Sequence, residues 1–146
     1  MPRSGDSGFD GAVVDRDNQT VALVEVKIGP VGERWDTVLP NQLARYAERV
    51  DFVLAIDPVN IRLYRLDAGR LGEPVAVLDT ARVLEHNDPD FPNKRIFESY
   101  LLTLVEAWLR DLAYHWKSLH PPGFEELREA GLLDRIEGGT TERLGD

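Results

Sequence analysis

The chain has 146 residues, enough for one domain with its own hydrophobic core. Apolar residues make up 42% and charged residues 29%, the balance of a globular protein, and the absence of cysteine excludes disulfides, thiolate metal sites and a cysteine nucleophile. Seventeen Lys and Arg against 26 Asp and Glu leave a net charge of −9, which counts against a protein that grips nucleic acid unaided through a basic surface.

The opening MPRSGDSGFD lacks the apolar core of a signal peptide, and no apolar run approaches the ~20 residues of a membrane helix, so a cytoplasmic location is expected. FDGAVVD (residues 9–15) predicts a short strand, DRDNQ (15–19) a turn, and TVALVEVKI (20–28) a second strand rich in β-branched residues. So short a polar loop between them predicts an antiparallel hairpin. GPVGE (29–33) breaks the pattern, and residues 36–50 take up a helical rhythm with Leu43, Ala47 and Val50 on one apolar face. Pro40 suits a first helical turn, which would start that helix near Asn41. DFVLAID (51–57) is nearly all apolar, as in a buried parallel strand; IRLYRLD (61–67) alternates, and VAVLD (75–79) suits an edge.

Beyond the polar linker EHNDPDFPN (85–93), residues 94–119 form the longest helical pattern. Phe97, Leu101, Leu104, Trp108 and Leu112 make an apolar stripe, widened by Tyr100, Val105, Leu109 and Trp116. A stripe that wide suggests either a partner chain or a fold back onto the sheet. A short helix is expected over 124–133, then a frayed tail, EGGTTERLGD. The order implies the α/β class: a mixed sheet flanked by helices over residues 1–84, with a helical extension over 85–146 packing on that core or on a partner.

The chemistry concentrates in VEVK. Glu25 and Lys27 share one face of their strand, a face that begins apolar with Val21 and Leu23. In the hairpin, Asp10 at the start of the first strand lies beside Glu25 near the end of the second; Asp6 and Asp15 compete for its role, though Asp15 better suits the turn. Two carboxylates and the Val26 carbonyl form an oxygen set suited to Mg²⁺ or Mn²⁺, and Lys27 could orient a water or stabilise charge on a phosphate. The ordinary alternative is a solvated surface ion pair of little energetic value. Gln42 and Tyr46 stand four apart, on one helix face. His86, His115 and His120 form no metal-binding motif, and there is neither a glycine-rich phosphate loop nor a nucleophile elbow.

The pattern F-D-x14-E-V-K resembles the PD-(D/E)XK nuclease superfamily, and QLARY is similar to the Q-x3-Y helix element of one of its branches. VDFVLAIDPVNIRLYRLD resembles the strand-turn-strand that follows in restriction-type relatives, so the likeness covers residues 8–67. The resemblance implies a restriction endonuclease-like fold and a metal-dependent DNA hydrolase, with Asp10, Glu25, Lys27, Gln42 and Tyr46 as catalytic residues. Asp10, Glu25 and Val26 would hold the metal. Two departures stand out: Phe9 replaces the usual proline, and nine residues before Asp10 are too few for the usual first helix, which is missing or shortened. The alternative is a non-catalytic subunit or protein-interaction module of the same fold. A homodimer, or membership of a larger complex, is expected in either case, with DNA bound weakly by the isolated acidic chain.

Overall fold

The computed structural model describes residues 8–29, 34–46, 49–114 and 120–144 of the chain. β1 (Gly11–Val14) and β2 (Thr20–Val26) form the expected antiparallel hairpin. Its turn is organised by Asp15, whose Oδ1 accepts the amides of Asp17 and Gln19, while Asn18 takes a left-handed φ of 63°. α1 (Trp35–Leu43) leads to β3 (Phe52–Ile56), which runs parallel to β2 with Ala22 beside Phe52 and Val26 beside Ile56. Every β3 residue is buried, as its unbroken apolar sequence requires. β4 (Asn60–Arg65) and β5 (Ala76–Asp79) follow by antiparallel pairing, and β5 lies at the edge.

The other edge is a correction. TTER, expected within a frayed tail, is β6 (Thr140–Arg143), antiparallel to β1 with Gly11 opposite Arg143 and Val14 opposite Thr140. An edge strand is held by its backbone hydrogen bonds, so its side chains need no apolar alternation, and these are mostly exposed. Gly139 permits the approach: a Cβ there would lie 1.9 Å from the Val14 carbonyl oxygen. The complete sheet is mixed and six-stranded, in the order β5-β4-β3-β2-β1-β6.

Strand alternation divides the core. Ala22, Val24, Val26, Phe52, Leu54 and Ile56 enter one hydrophobic cluster, and Leu23, Val53 and Ala55 another. The first is covered by α2 (Thr80–Leu84), α3 (Glu98–Tyr114), α4 (Phe124–Glu129) and α5 (Leu132–Ile136); residues from both sides of position 84 therefore share it. The second is covered by Trp35 and Leu39 of α1. α1 begins earlier than expected, so Pro40 sits inside it, and its buried face is Trp35, Leu39 and Gln42. Of the face expected from the sequence, Leu43 is half-buried, Val50 is buried ahead of β3, and Ala47 lies outside the described residues.

α3 also differs from expectation. It starts at Glu98, after an extended Lys94, and Phe97 is 57% exposed; residues 115–119, with His115 and Trp116, lie outside the described residues. Tyr100 is half-buried, and Leu101, Leu104, Val105, Trp108, Leu109 and Leu112 are buried within the chain, with Leu101 and Trp108 at 0% exposure and Leu112 at 1%. The Trp108 Nε1 donates to the Pro122 carbonyl at 2.7 Å. Between Leu101 and Leu112 the stripe therefore packs within the chain, in the cluster that includes the sheet. The single helix expected over 124–133 is two, because Gly131 takes φ 90° and ends the run. Among the described residues, no helix is long and apolar enough to cross a membrane.

Replacing Trp108 with alanine should destabilise the fold by about 3–5 kcal/mol, the range for deleting a large buried aromatic side chain. Urea unfolding measures this. A variant as stable as the parent would show that α3 is not part of the core.

Candidate active site

The site forms where β1 begins and β2 ends. The Asp10 amide donates to the Val24 carbonyl at 2.9 Å, while Gly11 is the register partner of Val24. Asp10 is thus tied to β2 just ahead of the first paired residue of β1. Asp10 reaches the end of β2, where its Oδ2 accepts the Val26 amide at 2.8 Å. On the other side the Leu144 amide donates to the Asp10 carbonyl at 3.0 Å, so β6 also fixes this residue. Val26 enters the site through that amide, with its side chain buried in the core on the α3 side.

Glu25 lies on the face of the sheet that α1 covers and is 1% exposed. Gln42, the polar member of the buried face of α1, stands over it. Gln42 Nε2 donates to Glu25 Oε2 at 2.9 Å and to the Gly8 carbonyl at 2.6 Å. Lys27 Nζ lies 3.0 Å from the same Glu25 oxygen. One carboxylate oxygen therefore takes two donors, while Glu25 Oε1 and Gln42 Oε1 are buried without a hydrogen-bond partner. Asp10, Glu25, Lys27 and Gln42 are thus brought together. Tyr46, past the end of α1, stands edge-on to Phe9 with ring centroids 6.2 Å apart. It also lines a cleft of about 500 Å³ with Leu43, Arg49, Val50 and Leu66.

The electrostatics follow from this packing. Burial, and then the neighbouring charge of Asp10, push the Glu25 carboxyl up from 4.5 to about 7, against the hydrogen bonds from Gln42 and Lys27. Burial works to lower the Lys27 ammonium. The hydrogen bond and charge of Glu25, with the charges of Glu98 and Asp10, nevertheless hold it above its ordinary value. Sequence reasoning missed Glu98 because it follows Glu25 by most of the chain's middle half and carries no motif; only the position of α3 brings it near.

Asp57 provides an internal comparison. It is 4% exposed, yet its Oδ1 accepts the Val59 and Asn60 amides at 2.8 Å, and its Oδ2 meets Trp35 Nε1 at 3.3 Å and Arg62 at 3.6 Å. That is a structural carboxylate with both oxygens engaged, tying the β3–β4 turn together. Glu25 has one buried oxygen left over, which suits a cation or a proton. Two carboxylates with neutral oxygens beside them match what Mg²⁺ takes from protein. Among the described residues, no three His, Cys, Asp or Glu side chains form a metal-holding group, so any ion here would rest on this pair. No protein-family model, curated protein or solved structure matches the chain.

The raised carboxyl has a signed consequence for stability. Between pH 4.5 and about 7 the folded chain holds the Glu25 proton and the unfolded chain releases it, so this group's contribution falls as pH rises through that window. Glu25→Gln, which keeps the protonated shape, should lack that fall. Its stability relative to the parent should increase by up to about 3 kcal/mol from pH 4.5 to pH 8, measured by urea unfolding. Parallel pH profiles would remove the buried carboxylate from the account.

Proposed function

We propose that the chain is a metal-dependent nuclease that hydrolyses DNA phosphodiester bonds, built on the restriction endonuclease-like fold that its PD-(D/E)XK resemblance implies. The observation that carries this reading is the buried Glu25 oxygen without a partner, beside Asp10, with Lys27 Nζ 3.0 Å from the other oxygen. An isolated surface ion pair would not be 1% exposed at its acidic end.

Mg²⁺ or Mn²⁺, when bound, supplies positive charge to the phosphate and acidifies a water. Asp10, Glu25 Oε1 and the Val26 carbonyl are the groups assigned to hold it. Gln42 fixes Glu25 by engaging Oε2, which directs Oε1 away from its own donors. Lys27 carries its ammonium to the rim, where it orients the attacking water or meets negative charge developing on the phosphate. A net charge of −9 means that net attraction does not hold the DNA, so capture depends on the ion and on association with another subunit or a second copy. The setting is taken to be cytoplasmic, in a restriction or repair system.

The second reading is a non-catalytic subunit or interaction module of this fold. The acidic surface favours it, as does Lys27 and Gln42 together satisfying Glu25 Oε2.

Calorimetric titration with Mn²⁺ separates the readings. The parent should bind, and Asp10→Asn should lose that binding. Lys27→Ala should retain it while DNA hydrolysis falls by about 10²–10³-fold, the usual cost of removing one charge-stabilising donor. Identical titrations of the parent and Asp10→Asn overturn the metal assignment, and binding without hydrolysis in the parent supports the module.

A further inference from the structure

We propose that Arg95 and Phe97, in the segment entering α3, form a platform for one unpaired nucleotide of a nucleic-acid strand, with Phe97 stacking on the base and Arg95 meeting the phosphate. This rests on the nuclease reading and names the form of its substrate.

Position comes first. Along α3, Arg110 Nη1 bonds Thr141 Oγ1 at 3.0 Å, and Arg143 Nη2 bonds Glu106 at 3.0 Å and Thr103 at 2.9 Å. Toward its N-terminus the helix therefore follows β6 toward Leu144, whose amide is bonded to Asp10. Leu102 Cδ1 lies 4.0 Å from where a Cβ on Gly11 would stand, and Glu98 is one turn earlier on the same helix face. The charge of Glu98 acts on Lys27, which agrees with that placement. Phe97 thus immediately precedes a residue whose charge reaches Lys27.

Exposure and order come next. Phe97 is 57% exposed although ten of the seventeen residues of the helix behind it are buried. The Arg95 guanidinium carbon lies 5.7 Å from the centroid of its ring. The segment is tied at both ends to one residue: Asp88 Oδ2 accepts Lys94 Nζ at 2.8 Å and also the Tyr100 hydroxyl, and the Lys94 ammonium sits 5.2 Å from the Tyr100 ring centroid. The platform is therefore held in place before any ligand arrives, which lowers the ordering cost of binding.

Charge selects the ligand. Asp10, Glu25 and Glu98 repel a phosphate strand, Lys27 is engaged by Glu25 and Lys94 by Asp88, and Arg95 is an exposed cation beside Phe97. A flat aromatic ring with a guanidinium alongside matches a base joined to a phosphate. In a duplex the base faces are stacked on each other, so the platform favours an unpaired strand.

The test uses the full chain with Mn²⁺, a labelled single-stranded oligonucleotide and a blunt duplex of the same sequence, following both binding anisotropy and hydrolysis. Phe97→Ala should weaken binding of the single strand by about 5- to 100-fold, the range for losing one base–aromatic stack, and raise KM with little change in kcat. Arg95→Ala should weaken binding and flatten its salt dependence. Parent hydrolysis with equal single-strand affinity in Phe97→Ala overturns the platform and leaves the nuclease reading standing. Phe97-dependent binding without hydrolysis by the parent upholds the platform and overturns the nuclease reading. A parent that cuts only the duplex and does not bind the single strand overturns the platform alone, and one that neither binds the single strand nor cuts either substrate overturns both.

Discussion

A carboxylate on the central part of a sheet, covered by a helix, is the constraint around which this fold is arranged. Taking an ionised group out of water costs several kcal/mol unless partners replace the lost hydration. At Glu25 the replacement is incomplete: Gln42 and Lys27 serve one oxygen, the other is buried alone, and Asp10 adds repulsion. The environment answers by raising the carboxyl to about 7, so burial favours its protonated form. Asp57, also buried but in the β3–β4 turn, shows that this chain can satisfy a buried carboxylate when the role is structural.

The parts surrounding Glu25 each have a local cause that serves this arrangement. The backbone bond from Asp10 to Val24 holds it beside the end of β2, where its carboxylate accepts the Val26 amide. α1 places Trp35, Leu39 and Gln42 on one face at spacings of four and three, so the two apolar anchors set the height at which the amide meets Glu25. β6 closes the outer edge of β1, and Arg143, paired with Glu106 of α3, joins that edge to the helix layer. Strands and helices thus hold an incompletely satisfied carboxylate in a rigid frame.

The cations explain how so acidic a chain could still handle a phosphate strand in the proposed function. Arg62, Lys94, Arg135 and Arg143 are paired with Asp57, Asp88, Asp51 and Glu106, so they stabilise the fold and do little for long-range attraction. What remains for a ligand is local, at the rim of the site. Affinity built that way is short-ranged and depends on geometry more than on net charge.

Much of the architecture was legible in the sequence. The hairpin, the parallel buried strand and the following antiparallel pair could be read because alternation, an unbroken apolar run and turn residues are local signals. The pairing of Glu25 with Lys27 followed from the strand period alone. α1 begins several residues before the sequence pattern places it, because Pro40 suits a first turn, whereas a nine-residue helix tolerates the lost hydrogen bond when Trp35 and Leu39 anchor it. β6 was invisible because an exposed edge strand needs backbone partners and no apolar pattern. Phe97 was counted in a buried stripe because periodicity cannot tell where a helix begins. So the sequence by itself determined which residue types stand on which strand face. Only the tertiary structure decided that Gln42 covers Glu25, that one carboxylate oxygen is left buried without a partner, and that Glu98 reaches the same site. Those facts depend on elements far apart in the chain meeting in space, which no local pattern encodes.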